Sequence, residues 1–282
     1  MINKAEDIGF CWGVQRAIEM VEREVIQRGS IDSLGSIVHN QRVMDHLQKL
    51  GIRVIEEPSQ IKGDAVIIGT HGTTPEVIAE VEKHHSKVID TTCPFVRRAQ
   101  LAARKLAQLG FFIVIFGDKE HPEVRGILGW ADGHGMATLK ANEIKSLGNI
   151  PKRLGILSQT TQVVESFVNF SKETLDYTLV CDSEIRIIDT ICHDIRRRQE
   201  SAAKIASSSD VVIVIGGSNS ANTRHLTELC LKFTTTYQVE GAYDINPDWL
   251  KDKERIGIIS GTSTDAETID EVLNKVQTLV EK

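Results

Sequence analysis

Val88-Ile89-Asp90-Thr91-Thr92-Cys93-Pro94-Phe95-Val96-Arg97-Arg98-Ala99-Gln100 recurs ninety-nine residues later as Ile187-Ile188-Asp189-Thr190-Ile191-Cys192-His193-Asp194-Ile195-Arg196-Arg197-Arg198-Gln199. Between 89–117 and 188–216, 11 of 29 positions are identical. Both copies carry Cys, Arg-Arg, Gln, Ala, Lys and Ala in register, and both run into an apolar stretch ending in Gly. A fainter copy surrounds Cys11, as Gly9-Phe10-Cys11-Trp12-Gly13-Val14-Gln15-Arg16-Ala17. There Val14 and Arg16 stand three and five places after the cysteine, as Val96 and Arg98 do after Cys93. A fixed-period recurrence marks one structural unit used repeatedly. The chain reads as three copies, 1–92, 93–190 and 191–282, with one of these cysteines to each.

Within each copy, apolar runs alternate with helical patterns. After Cys11 the face Val14, Ala17, Ile18, Val21 and Val25 predicts a helix stopping near Gly29, followed by a short strand at 35–38. Asp64 to Gly69, Phe111 to Phe116, Leu154 to Leu157, Val211 to Ile215 and Ile256 to Ile259 are near-continuous apolar runs, as in parallel strands buried on both faces. The passage from Gly126 to Gly135 is Gly-rich, and Ile269, Val272, Leu273 and Val276 mark a closing amphipathic helix. Alternation of this kind predicts an α/β fold. We expect three small α/β domains with parallel sheets, in a pseudo-threefold trefoil around a central cavity.

Composition narrows the function. The net charge is −6 with no concentrated basic patch, which argues against nucleic acid. No apolar run approaches the roughly 18 residues of a membrane span, and Met1 to Asp7 lacks the build of a signal peptide. Five widely spaced cysteines in a chain of 282 residues point to a reduced, cytoplasmic protein that needs no disulfide staples.

In open α/β sheets, ligands sit at the carboxyl ends of strands, where helix N-termini offer unpaired N–H groups. Each copy has three such loops. One carries Cys11, Cys93 or Cys192; the second carries His39-Asn40, His121-Pro122-Glu123 or Ser220-Ala221-Asn222; the third carries His71, Thr160-Thr161 or Ser263. His39 and His121 each lie 28 places after their cysteine, and Asn222 lies 30 after Cys192. Thiols before helix N-termini are expected to have depressed pKa values and to suit a soft metal centre. A [4Fe–4S] cluster with one open iron, a Cys₃His zinc site and three buried small hydrophobes are the alternatives. Equivalent placement in three copies favours the metal, whereas Cys181 and Cys230 lack counterparts. The histidine, Ser and Asn loops read as an anion cradle, with ordinary capping as the plainer alternative. Glu123, between a candidate binding histidine and a helix start, is the candidate proton donor, and Thr160 its candidate orienting group. His46, His84, His85, His134 and His225 read as surface or helix residues.

These residues resemble the 4-hydroxy-3-methylbut-2-enyl diphosphate reductases, the last enzymes of the non-mevalonate isoprenoid pathway. The matching stretches are Gly9 to Val14, Val38-His39-Asn40, His71-Gly72, Thr92-Cys93-Pro94, His121-Pro122-Glu123, Ser158 to Thr161, Thr190 to Cys192, Asn219 to Asn222 and Gly261 to Ser263. The resemblance implies a [4Fe–4S] cluster on Cys11, Cys93 and Cys192 with one open iron. It implies an allylic diphosphate substrate held by His39, His71, His121, Ser220, Asn222 and Ser263, with Glu123 and Thr160 managing the proton of its hydroxyl. Two electrons and two protons would remove that hydroxyl as water, giving isopentenyl and dimethylallyl diphosphates. An external donor, ferredoxin or flavodoxin, is implied, and the chain carries no dinucleotide or NTP loop signature. Ala221 stands where some members have a second Ser, and Asp194-Ile195 where members usually read Ala-Thr. The second departure motivates one alternative, a same-fold [4Fe–4S] paralogue reducing another anionic substrate. A non-enzymatic iron–sulfur redox protein, with His193 as a fourth ligand, is the other.

Overall fold

The structure, a computed structural model, describes residues 1–84, 86–179 and 182–281; the readings of His85 and Cys181 lie outside the described residues. In chain order the elements are β1 (Ile2–Lys4), α1 (Trp12–Arg28), β2 (Ile31–Leu34), α2 (Gln41–Leu50), β3 (Ile52–Ile55), β4 (Ala65–Ile68), α3 (Pro75–Lys83) and β5 (Lys87–Asp90). There follow α4 (Pro94–Gln108), β6 (Phe112–Phe116), α5 (Pro122–Trp130), β7 (Gly135–Thr138), β8 (Arg153–Ser158), α6 (Val164–Thr178) and β9 (Glu184–Ile187). The last third contains α7 (His193–Ser207), β10 (Val211–Ile215), α8 (Ala221–Leu231), β11 (Thr236–Val239), β12 (Ile256–Ser260) and α9 (Ala266–Val280).

The strands form three parallel four-stranded sheets, ordered β3-β2-β4-β5, β7-β6-β8-β9 and β11-β10-β12-β1. Written this way the three are equivalent: a central pair, one outer strand, and a last strand that runs into a cysteine. β5 leads to Cys93, β9 to Cys192 and β1 to Cys11. Residues 31–90, 112–187 and 211–260 thus each supply one sheet, but the third sheet takes its last strand from the start of the chain. Ile2 pairs with Ile256 and Lys4 with Ile258.

Two compact units are described separately, one of residues 1–16, 38–47 and 193–282, the other of 17–37 and 48–192. In the first, side chains of β10 and β12 alternate between two buried layers, as period-2 strands require. Val211, Ile213, Ile215, Ile256 and Ile258 pack on Ile269, Val272 and Val276 of α9. Val212, Val214 and Ile259 pack on Ala202 and Ala206 of α7 and Leu226 and Cys230 of α8. Cys230 is therefore a core residue, its thiol pushed up to about 12 by burial. In the second unit, Ile113, Ile115 and Leu157 meet Ala99, Ala103 and Leu106 of α4 and Val124 and Ile127 of α5.

One local expectation is corrected. The strand expected at 35–38 lies at 31–34, because Gly35 turns the chain with φ 73°. The first half of the Gly-rich passage, Gly126 to Trp130, completes α5, and Gly129 lets it approach closely: a Cβ there would stand 2.5 Å from Thr74 Cβ.

Candidate active site

Each of the three cysteines directly precedes a helix and is anchored in the same way. The Cys11 N–H donates to Thr262 O at 2.9 Å, Cys93 N–H to Thr70 O at 3.0 Å and Cys192 N–H to Thr160 O at 3.0 Å. The acceptor in every case is a threonine two places beyond the end of β12, β4 or β8. That threonine opens the third polar loop, so the cysteine loop and the loop of Ser263, His71 or Thr160-Thr161 are tied by one backbone bond per copy. All three cysteines are half-buried, and Cys11, Cys93, Cys192 and Cys230 form no disulfide.

The expectation of depressed thiol pKa values fails at Cys11. Burial pushes its thiol up and Asp194 adds to the rise, against the Val14 N–H (3.4 Å from Sγ), the Gly13 N–H and Arg198. A half-buried thiol loses more solvation than one helix turn returns.

In the first unit, three loops adjoin. Asn40 caps α2 by accepting the Val43 N–H at 3.1 Å, and its Nδ2 donates to Ser263 O at 2.8 Å. Ser263 Oγ donates to His39 O at 3.2 Å. A Cβ on Gly217 would stand 3.3 Å from the same carbonyl, so the loop after β10 passes close to it. Burial lowers the His39 pKa, which keeps the ring neutral near pH 7. Ser220 caps α8, accepting the Thr223 N–H at 3.3 Å. Asn222, two places on, is buried, and neither of its amide atoms has a hydrogen-bond partner among the described residues.

Asp194 is turned onto its own helix. Its carboxylate meets Arg197 at 2.8 Å and Arg198 at 2.9 Å, and although burial opposes it, Arg198 and Arg197 hold the group below the usual carboxylate range. Arg198 was not singled out in the sequence, yet it is buried and donates to the carbonyls of Asp7 (3.1 Å) and Gly9 (2.9 Å), with a longer contact to Ser260 O (3.5 Å).

In the second unit, His121 caps α5 with its ring: Nδ1 accepts the Glu123 N–H at 3.2 Å. The neutral ring then carries its proton on Nε2. His71 and His121 lie edge to face, with ring centroids 5.4 Å apart. Glu123 is buried; its Oε1 accepts the Thr160 N–H at 2.6 Å, and Oε2 and Thr160 Oγ1 are 2.9 Å apart. Burial pushes this carboxyl up to about 7, against those two hydrogen bonds. Thr160 thus orients Glu123 through its N–H and hydroxyl, and receives the Cys192 N–H on its carbonyl.

Gly72, after His71, has φ 68°, and a Cβ there would stand 2.5 Å from Gln100 Nε2 in a buried setting. Gly72→Ala is expected to lower unfolding free energy by about 1–3 kcal/mol, measured by chemical denaturation.

The donor set fits an iron–sulfur centre: three equivalent cysteines at helix starts, outside any disulfide. In the first unit the neutral His39 ring, the α8 N-terminus capped by Ser220 and the unmatched amide of Asn222 suit a polyanion; in the second, taken by itself, the α5 N-terminus capped by His121 does.

Comparisons agree. Residues 2–277 match the family described as LytB protein. A 4-hydroxy-3-methylbut-2-enyl diphosphate reductase of Dehalococcoides mccartyi (strain CBDB1) is 48% identical over 278 residues, covering 99% of this chain and 98% of that one. The reductase of the same name from Geobacter sulfurreducens is 37% identical, covering 97% and 95%. The structure of the E-1-hydroxy-2-methyl-but-2-enyl-4-diphosphate reductase from Plasmodium falciparum is similar with a TM-score of 0.92 at 26% identity, covering 97% of this chain and 87% of that chain. A structure of (E)-4-hydroxy-3-methyl-but-2-enyl diphosphate reductase gives 0.71 at 37% identity, covering 98% and 99%. With nearly its whole length matched, this chain belongs to the LytB protein family.

Proposed function

We propose that this chain reduces (E)-4-hydroxy-3-methylbut-2-enyl diphosphate to isopentenyl and dimethylallyl diphosphates, taking up two electrons and two protons and releasing water. Cys11, Cys93 and Cys192, one from each of the repeats 1–92, 93–190 and 191–282, would hold a [4Fe–4S] cluster with one open iron. When bound, that cluster supplies the electrons and a Lewis acid for the departing hydroxyl. His39, His71, His121, Ser220, Asn222 and Ser263 bind the diphosphate. The His121 tautomer supports this: with Nδ1 engaged by the Glu123 N–H, the neutral ring carries its proton on Nε2, a donor suited to an anion.

The observation that carries the reading is the Glu123 carboxyl: buried, gripped by Thr160 at 2.6 and 2.9 Å, and pushed up to about 7. A carboxyl so placed titrates near neutral pH, where a proton donor works best, and is shielded from bulk water. Such a group has no purpose in a simple electron carrier. Among the described residues no helix is long and apolar enough to cross a membrane. A small cytoplasmic electron carrier, ferredoxin or flavodoxin, is the proposed donor.

The test is anaerobic turnover of the allylic diphosphate with a reduced viologen, on protein reconstituted with iron and sulfide. Formation of the two five-carbon diphosphates supports the reading, and an intact cluster without turnover sinks it. Asn222 gives a further expected result. In Asn222→Ala the substrate KM rises about tenfold, while unfolding free energy increases by about 1 kcal/mol because two unmatched buried groups are gone. Steady-state kinetics and urea titration read the two effects separately.

A further inference from the structure

We infer that the helices following Cys93 and Cys192 each carry an arginine that holds the loop entering another cysteine, and that Arg198 is the positioning residue for Cys11. The inference rests on the three cysteines being cluster ligands.

Consider how far each cysteine lies from its sheet. Two residues separate β5 from Cys93 and four separate β9 from Cys192, but six, residues 5–10, separate β1 from Cys11. The longest approach has the least support from its strand, and it includes Gly9 at φ 89°. α7 packs on β10 and β12, the sheet that β1 completes. From there the Arg198 guanidinium reaches this loop, donating Nη1 to Asp7 O and Nη2 to Gly9 O, while Nε bonds Asp194 at 2.9 Å. One planar fork fixes two carbonyls of the loop and is itself fixed by a carboxylate. The loop is further pinned by the Gly9 N–H on Ser260 Oγ at 2.7 Å.

The repeat makes the device stand out. Ala17 and Ala99 occupy the positions equivalent to Arg198, six places after Cys11 and Cys93. Gly13 and Phe95 occupy the positions equivalent to Asp194. At these equivalent helix positions, the ion pair stands in the copy whose helix faces the long loop. In the second unit α4 packs on β6 and β8, the sheet that β9 completes, and there Arg98 Nη2 donates to Asp189 O in the loop entering Cys192. That loop is shorter, and an exposed arginine suffices. Asp194 is the partner that orients Arg198.

The test reads each thiol separately. Holoprotein, kept anaerobic, is exposed to iodoacetamide, and alkylation of the three cysteine peptides is followed by mass spectrometry. In the wild type all three are protected. Arg198→Gln is expected to speed alkylation of Cys11 at least tenfold with Cys93 and Cys192 unchanged, and Asp194→Asn to do the same more weakly. Arg98→Gln, at an exposed site that folding tolerates, is expected to expose Cys192 alone by a few-fold. Arg198→Lys, which keeps the charge but not the fork, should not restore protection of Cys11. Equal exposure of all three cysteines in Arg198→Gln, or none in either arginine variant, overturns the inference. Unprotected cysteines in the wild type would instead overturn the cluster assignment on which it rests.

Discussion

Glu123→Gln is expected to lower kcat by about 10²–10⁴, the usual contribution of a positioned proton donor. The amide keeps the shape and can still meet the Thr160 N–H and hydroxyl, which now bond the carboxyl at 2.6 and 2.9 Å. The loss therefore reports the missing proton. The pH profile separates this from misplacement. With the carboxyl pushed up to about 7 by burial, wild-type kcat/KM should fall as pH rises through that value, and the variant's residual rate should lack that limb. Stability carries the same signature with a fixed sign. A carboxyl whose folded pKa lies above its unfolded one favours the folded state fully below about 4.5, and that contribution is lost as pH approaches 7. The difference amounts to about 3 kcal/mol. Denaturation midpoints between pH 4.5 and 8 should fall for the wild type and stay flat for Glu123→Gln at this site. Flat behaviour in both would mean that Glu123 is ionised throughout and is not the donor.

Cys93→Ser should abolish the iron–sulfur chromophore and reduce turnover by at least about 10³, since the cofactor carries the chemistry. A serine hydroxyl is a hard, weakly acidic ligand and a poor substitute for thiolate. Its backbone N–H can still donate to Thr70 O, and the side chain is half-buried, so the fold should be kept. Iron and sulfide analysis beside circular dichroism distinguishes loss of cluster from loss of structure. The core residue Cys230 is the internal control: Cys230→Ala should leave iron content unchanged. Full iron and full activity in Cys93→Ser would remove the cluster assignment.

Much of this was legible in the sequence because a repeat supplies its own controls. Three cysteines at equivalent places pointed to helix starts, and the polar loops were readable from where apolar strands end. Glu123 and Thr160 were paired by position, and the structure brings them within hydrogen-bonding distance. What escaped was decided by contacts between distant segments. Gly35 looks like part of a strand until its φ of 73° is known, and nothing in the run from Gly126 to Gly135 announces that helix α5 packs closely on Thr74. The thiol shift at Cys11 depends on burial that helix-start chemistry alone does not reveal. Arg198 reads as one of three successive arginines, and only the structure shows it turned inward.

The pairing of β1 with β12 has a consequence for synthesis. Ile2 leaves the ribosome some 250 residues before its partner Ile256. At translation rates of about 5–20 residues per second, that interval lasts on the order of 10–50 seconds. Through that interval the segment bearing Cys11 lacks the strand on which β1 settles, whereas the sheets leading to Cys93 and Cys192 need only residues up to 90 and 187 and can close earlier. Under the proposed cluster assignment, Cys11 is thus the last of the three cysteines to gain its supporting sheet.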